Sequence, residues 1–581
     1  MMRRLALLLA LATCASAQEQ LIREITDPKT DTHVEITSLF SLPPPRGYLP
    51  VRVKIANRLE SNRSVTVSFE SSTTNYGRRG DGNRMTSSFT FDAPAEKSNE
   101  HDILVPLPTT IGDGENAISV QATLSGSMGA GSRTLSTQYV DKQRAVLMGE
   151  KLYTPNAHAL ERELGSLSSS YRGSAAFTAC LDARQLPDDW RAYSGYDYLI
   201  LTDEEWTVTS PGVKTAILAW VRLGGHLQIY TPTGSAPGLA LPADTSFGTI
   251  EVKKTTGGAL GLDAAAVVTA IHKGPMSQRE ALNSDYNSGW ALQNEFGRVG
   301  FNYAVFVVIL IAFGVVVGPV NLFVFAKTGR RHRLFITTPL ISLAASLLLI
   351  ALILLQDGFG GRGSRVVLME VRPDNNENAA YVHQEQFSRT GVLTGARFTI
   401  QDAAAISPVP IADDNRWARL TTSNGGAGNG YAANFVDGKL ETSGDWFQSR
   451  SEQGEILDAV IPTRGRIESA SSSGAPSLLS TFDFPIETLY YQDSTKQWWK
   501  ATDLQPGSRF QPVTISTPDA ELAINAEQIR LGKRNGELLA KVKNRPGSFV
   551  AFSNKAPAVE TYKSIKWQST RAVITGPVLN P

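Results

Sequence analysis

The chain has 581 residues, with 56 Lys or Arg against 55 Asp or Glu, so its formal net charge is +1. This balance produces no global positive field, and we therefore expect no nucleic-acid partner. A chain of this length exceeds what one hydrophobic core supports, which predicts a multidomain protein. No Cys/His spacing is typical of a zinc or haem site, so we expect no metal and no cofactor.

The first 17 residues have the pattern of a secretory signal peptide. Two arginines precede the apolar residues 5–12, and residues 15–17 read Ala-Ser-Ala, a small-residue cleavage site. The apolar run is too short to span a bilayer. A lipoprotein signal at Cys14 is an alternative, although the preceding Thr13 fits it badly. After cleavage Cys180 remains, and its apolar surroundings predict a buried thiol.

Residues 18–141 alternate between apolar and polar side chains with the period of β-strands. In residues 48–59 the alternation places three branched side chains on one face, and residues 64–72 repeat the pattern. Turn residues separate these runs. The segment predicts a β-sandwich of immunoglobulin-like size.

Residues 142–255 combine short apolar strands with helical patterns. The clearest helix follows the strand at residues 196–203. Ser210 is its N-cap, Pro211 is its first residue, and Gly224-Gly225 ends it. Strands that alternate with helices predict a parallel sheet covered on both faces.

This segment resembles class I glutamine-amidotransferase-like domains, in "YDYLILTD", a helix ending in Gly-Gly, and then "HLQIYTP". The resemblance implies a flavodoxin-like α/β fold, a cysteine nucleophile on the turn after the last strand, and a later His-x-Glu pair. Residues 231–234 instead read Thr-Pro-Thr-Gly, and His272 is followed by Lys-Gly. We therefore expect no catalytic residues and no glutaminase activity.

Four side chains at the carboxyl ends of the predicted strands are candidate ligand-binding residues. Ligands of open α/β sheets bind at this edge, which makes the acidic trio a possible ligand or cation site and the threonine the one substitute nucleophile. A solvated acidic loop is the alternative. The residues are Asp203, Glu204, Glu205 and Thr231.

After a linker at residues 256–300, residues 301–357 predict a transmembrane hairpin. Residues 299–326 and 334–356 carry no charge, and each run is long enough to span about 30 Å of hydrocarbon. The short connection is basic and therefore predicted to be cytoplasmic, which places the domains on both sides of the hairpin outside. The basic residues are Lys327, Arg330, Arg331 and Arg333.

Four residues within the hairpin are candidates for helix packing. Gly318 and Pro319 predict a kink in the first span. Asn321 lies six positions before Lys327, and Thr338 lies five after Arg333, so both reach a similar depth. A hydrogen bond between them would contribute about 1 kcal/mol and set the register of the pair.

Residues 358–581 return to the strand period and predict one or more β-rich domains. Three tryptophans are candidates for sugar or protein binding: Trp446, Trp498 and Trp499. For Trp498 and Trp499, burial against a second sheet or in a domain contact is the alternative. Trp498 and Trp499 are adjacent, so in a strand they face opposite ways and at most one enters a given core.

The whole plan resembles a loose group of uncharacterised bacterial envelope proteins that share Gly-Pro-Val-Asn, here residues 318–321, in the first span. The resemblance implies an inner-membrane protein with periplasmic domains. We expect a non-catalytic scaffold whose partners are the lipid bilayer and other envelope proteins. The alternatives are an envelope hydrolase or transferase with an unrecognised site, or an accessory subunit of a membrane transport complex.

Overall fold

A computed structural model describes most of the chain, and all structural statements refer to the part that it describes. The predicted signal peptide, Lys327 and Arg330 lie outside that part. The described residues are 19–75, 83–109, 115–140, 142–167, 176–180, 182–235, 238–256, 260–275, 277, 280–281, 290–296, 303–325, 329, 331–374, 377–393, 395, 397–409, 430–436, 439–449, 451–470 and 476–579.

The N-terminal part is built from strands, as the alternation predicts. Strands β1, β2, β3 and β6 form one antiparallel sheet, and β5, β4, β7 and β8 lie in a second. Val53 of the first sheet and Val67 of the second are fully buried in one shared apolar core. The strands are β1 (Glu19–Asp27), β2 (Thr32–Ser38), β3 (Gly47–Asn57), β4 (Arg63–Asn75), β5 (Arg84–Ala93), β6 (Lys97–Leu107), β7 (Glu115–Gly126) and β8 (Gly131–Val140).

The middle part contains a sheet of five parallel strands in the order β10-β9-β11-β12-β13. The strands are β9 (Val146–Met148), β10 (Phe177–Ala179), β11 (Tyr198–Thr202), β12 (His226–Thr231) and β13 (Thr249–Lys254). The helices are α1 (Glu150–Leu167), α2 (Asp203–Val208), α3 (Pro211–Arg222), α4 (Ala264–His272) and α5 (Ala291–Phe296).

Local signals in the middle part are confirmed. The Ser210 side chain accepts from the Val213 amide at the start of α3, with Pro211 in the first turn, and the buried face of α3 includes Ile217 and Trp220. Cys180 is fully buried, and burial raises the pKa of its thiol. The thiol is therefore held in its unreactive protonated form.

Two helices are long and apolar enough to cross a membrane, over Val307–Phe325 with mean hydropathy 2.6 and Arg331–Ala351 with mean hydropathy 2.2. The first begins as α6 (Tyr303–Val315) and continues as a π-helix over Val316–Phe325, which contains Pro319. The second is α7 (Leu334–Asp357). Proline lacks the amide hydrogen that an α-helix needs, which accounts for irregular pairing in this segment. Arg331 and Arg333 are exposed in the 3-10 turn that precedes α7.

The C-terminal part is dominated by one large sheet whose main path runs β17-β20-β15-β14-β28-β27-β23-β24-β26. Two helices, α8 (Thr517–Arg530) and α9 (Gly532–Val542), belong to this part. The strands are β14 (Gly361–Asp374), β15 (Glu377–Thr390), β16 (Phe398–Ile400), β17 (Ala404–Val409), β18 (Gly430–Val436), β19 (Lys439–Gly444), β20 (Glu452–Pro462), β21 (Ile467–Ser469), β22 (Leu478–Ser480), β23 (Ile486–Gln492), β24 (Trp498–Leu504), β25 (Arg509–Phe510), β26 (Val513–Ile515), β27 (Ser548–Ser553) and β28 (Ile565–Leu579).

The β-domains before and after the hairpin are joined, although the sequence suggests separate modules. Strand β18 pairs in parallel with β5, so that β16, β19 and β18 extend the N-terminal sheet to seven strands. Met85 of β5 is buried in the C-terminal core, whereas Tyr381 of β15 is buried in the N-terminal core. Side-chain alternation specifies which face of a strand is buried but not which distant strand is its neighbour.

Candidate functional site

The acidic trio lies at the carboxyl end of β11, where it forms the first turn of α2. Thr202 is the N-cap: its hydroxyl accepts from the Glu205 amide at 3.0 Å, and the Glu205 carboxylate accepts from the Thr202 amide at 2.8 Å. This reciprocal pair is a capping box. Glu205 is therefore a capping residue, and the trio lies in a helix rather than in a loop.

Glu205 also caps a second helix, α1. Its carboxylate accepts from the Lys151 amide in the first turn of α1 at 3.1 Å, and the side chain is only 4% exposed. A Cβ atom on Gly149, at the end of β9, would lie 2.2 Å from this carboxylate. The crevice between the carboxyl ends of β9 and β11 is thus occupied by the protein's own anion.

The other two acids of the trio are engaged locally. Glu204 is exposed and forms an ion pair with Lys151 at 2.6 Å, which lowers the pKa of Glu204 through the hydrogen bond. Asp203 accepts from the Glu204 amide at 3.0 Å. Within the described residues, no group of three or more His, Cys, Asp or Glu side chains could hold a metal ion.

Thr231, at the carboxyl end of β12, is 1% exposed. Its hydroxyl accepts from the Gly234 amide at 2.8 Å and reaches the Ser235 carbonyl at 3.4 Å. These bonds close the turn that follows the strand. The geometry gives Thr231 a structural role in the turn, with no general base bonded to its hydroxyl among the described residues.

Two of the three candidate tryptophans are core residues, which corrects the expectation that they bind ligands at a surface. Trp446 and Trp498 are each 1% exposed, and the Trp446 indole donates to the Ala432 carbonyl at 3.1 Å. Trp499 is half-buried and donates to Asp493 at 2.9 Å. The opposite orientations of the adjacent pair, expected from the strand period, are confirmed.

In the hairpin, the amide of Asn321 donates to the Thr338 hydroxyl at 2.9 Å, as their equal depth suggests. Asn321 is fully buried, whereas most surrounding side chains of the hairpin are exposed. Gly318 meets no atom within 4 Å of a Cβ built on it, so it does not form a close helix contact. The polar pair, rather than the glycine, joins the two helices.

A cavity of about 120 Å³ lies at the opposite, amino edge of the parallel sheet. The amino ends of β11 and β12 meet there, since the His226 amide donates to the Asp197 carbonyl at 3.1 Å. A Cβ on Gly225 would lie 2.3 Å from the Trp220 ring, so glycine is required at the turn that places Trp220 beside the cavity. Sequence reasoning did not identify this site, because its wall residues come from three distant segments.

The three segments belong to the N-terminal, the α/β and the C-terminal parts of the chain, which lie outside the apolar hairpin. The loop before β3 contributes Arg46, the α/β part contributes the aromatic and histidine wall, and the C-terminal part contributes β20 and α9. The charged, histidine and aromatic residues that line the cavity are Arg46, Trp190, Tyr196, Asp197, Trp220, His226, Asp458, Arg534, Glu537 and Lys541.

One side of the cavity is closed by a buried ionic cluster. Asp458 bonds to the Arg534 guanidinium and, at 2.6 Å, to the His383 ring. Burial opposes ionisation, but Arg534 and His383 hold the pKa of Asp458 well below its usual range. Removing one member of such a cluster leaves an uncompensated buried charge, which is strongly destabilising.

The cavity is also lined by a cationic and a neutral group, Lys541 and His226. The Lys541 ammonium donates to the Phe247 carbonyl at 2.9 Å, and burial lowers the pKa of this ammonium. Burial, followed by the charges of Lys541 and Arg144, lowers the pKa of His226 to about 3. His226 is therefore neutral and bonds to the Thr249 hydroxyl at 2.8 Å.

No protein-family model and no curated protein matches the chain. Solved structures with partial likeness include a cycloisomaltooligosaccharide glucanotransferase from Paenibacillus sp. complexed with cycloisomaltoheptaose (9% identity over 37% of this chain and 27% of that one, TM-score 0.17). The sporulation control protein Spo0M from Bacillus subtilis is 14% identical over 18% of this chain and 48% of its own, with a TM-score of 0.12. A β-glucosidase from Kluyveromyces marxianus in complex with glucose is 9% identical over 81% and 46% of the two chains, with a TM-score of 0.11. The chain thus spans less than half the length of each of these proteins, and likeness at these TM-scores carries no argument about fold or function.

Proposed function

We propose that the protein is a membrane-anchored scaffold whose domains before and after the hairpin form one body on the outer side of a bacterial inner membrane. The pairing of β5 with β18 carries this proposal. Strands that share a sheet lie on the same side of a bilayer, which requires an even number of spans between them. The two apolar helices between residues 303 and 357 supply that number.

The basic connection supports the orientation. Arg331 and Arg333 are exposed between the helices, and positively charged short loops stay on the cytoplasmic side. Substituting cysteine at Ser132, Glu521 or His332 tests this arrangement, because all three side chains are exposed and the native Cys180 is fully buried. In intact spheroplasts an impermeant maleimide should label positions 132 and 521 but not 332. Labelling at 332 alone would reverse the orientation, and unequal labelling of 132 and 521 would refute the two-span arrangement.

The non-catalytic part of the proposal rests on Glu205. The strand order, written in chain order as 2-1-3-4-5, supports a flavodoxin-like fold, in which ligands bind where the order reverses, between β9 and β11. Glu205 fills that crevice and bonds to Lys151 and Thr202 there. We therefore infer an amidotransferase-like domain that has exchanged its site for a structural contact. Glutamine-dependent ammonia release that disappears in Thr231→Ala would overturn this inference.

The joined sheet also makes a direct biochemical prediction. If the chain is divided in the loop, fragments 1–329 and 330–581 should still co-purify when they are co-expressed, because β5 and β18 hold them together. Ala432→Pro removes a backbone donor from β18 and should weaken recovery of the pair. Equal recovery with and without the substitution would show that the contact does not hold the domains.

A further inference from the structure

The cavity at the amino edge of the parallel sheet has features that a structural junction alone does not require. It lies where the N-terminal, the α/β and the C-terminal parts meet, and its volume of about 120 Å³ approaches that of cavities that accept a benzene-sized molecule, roughly 150 Å³. Three aromatic rings, of Trp190, Tyr196 and Trp220, line it. Aromatic walls with a few polar groups are typical of small-molecule sites.

The charged groups that line the cavity differ in whether another group of the protein is bonded to them. Asp458 is bonded to Arg534 and His383, and Asp197 accepts from the Ala145 amide at 2.9 Å. Glu537, four residues before Lys541 on α9, is exposed, and its charge acts on Lys541 without a direct ion pair. Lys541 differs from these groups: among the described residues no carboxylate lies within 4 Å of its ammonium, which bonds to a neutral carbonyl.

A donor without a partner lines the same cavity from the α/β part. The indole N–H of Trp190 is buried, and within the described part of the chain no acceptor is bonded to it. Buried donors in folded proteins nearly always have an acceptor, so an unpaired one next to a cavity points to a ligand or water. Among the described residues, the ammonium of Lys541 has no carboxylate within 4 Å and the N–H of Trp190 has no acceptor, and both favour an acceptor that carries negative charge.

We propose that this cavity binds a small organic monoanion, whose charged group pairs with Lys541 and bonds to Trp190 and whose flat body lies against Trp220. The bound anion would join α9 of the C-terminal part to the α/β part, so that ligand and domain assembly stabilise each other. This site goes beyond the scaffold role and does not depend on the orientation of the protein in the membrane.

Three probes of nearly the same shape and different charge test the proposal: benzoate, benzamide and benzamidine. Isothermal titration calorimetry of the full chain in detergent should show saturable binding of benzoate, binding of benzamide at least about tenfold weaker, and no saturable binding of benzamidine. Equal binding of all three would refute the requirement for an anion. Absence of saturable benzoate binding would refute the site.

Two substitutions with a matched control locate the binding. Lys541→Met should weaken benzoate binding by about tenfold or more, and Trp190→Phe, which keeps the ring but removes the N–H, should weaken it severalfold. Lys543→Met is the control, because Lys543 does not line the cavity and bonds instead to Asn525 and Gln528. The affinity of this variant for benzoate should lie within about twofold of that of the unmodified protein. Unchanged benzoate affinity in both Lys541→Met and Trp190→Phe, or equal losses in Lys541→Met and Lys543→Met, would overturn the assignment.

Discussion

Replacing Glu205 by alanine tests whether this buried carboxylate holds the carboxyl edge of the α/β domain together. The carboxylate accepts three hydrogen bonds, from the Lys151 amide at 3.1 Å, the Thr202 amide at 2.8 Å and the Thr202 hydroxyl at 3.1 Å. A bond to a charged group contributes about 1.5–3 kcal/mol, and water that enters the vacated space recovers part of the loss. We expect the free energy of unfolding of this domain to fall by about 3 kcal/mol.

Hydrogen exchange measures the effect locally. In Glu205→Ala the amides of Lys151 and Thr202 should lose protection, and added formate should restore part of it, because the freed donors form an anion site. Glu204→Ala is the matched control, because the exposed Glu204 carboxylate pairs with the Lys151 side chain and not, among the described residues, with either amide. This variant should leave both amides protected. Similar exchange in the two variants would refute the structural role of Glu205.

Three further predictions concern the hairpin, the joined sheet and acid stability. Asn321→Leu should destabilise the hairpin by about 1 kcal/mol, and cysteine pairs at 321 and 338 should cross-link more readily than pairs at 317 and 338; equal yields would contradict the register. Met85→Ala removes an N-terminal side chain from the C-terminal core and should cost about 2–5 kcal/mol, measured by chemical unfolding of the full chain, with unchanged stability as the refuting result. The pKa of His226 is about 3 in the folded protein and about 6.5 in the unfolded chain. As the pH falls, the unfolded chain therefore binds a proton at this residue before the folded protein does. The stability contributed by this residue is complete above about pH 6.5 and is lost progressively towards about pH 3. In His226→Gln, the free energy of unfolding should therefore fall less between about pH 7 and pH 5, by up to about 2 kcal/mol. An unchanged pH profile of unfolding would contradict this.

Features that depend on local chemistry could be read from the sequence. The cap at Ser210, the buried face of α3 and the two apolar spans follow from residue type and spacing, because a helix has a fixed period and a bilayer a fixed thickness. The pairing of Asn321 with Thr338 follows in the same way, since a seven-residue connection between antiparallel helices sets their relative depth.

Features that depend on distant segments could be decided only by the tertiary structure. The alternation in β18 shows that one face is buried but contains no information that its neighbour is β5, more than 300 residues earlier in the chain. Glu205 resembles a ligand-binding acid in the sequence, and only the approach of α1 turns it into a cap for two helices. The surroundings of Trp446 and Lys541 are likewise decided by the tertiary structure. Trp446 is buried in the core, whereas Lys541 lines a cavity formed by three parts of the chain. Residue type sets what a side chain can bond to, but the partners that meet it are chosen by the packing of the whole chain.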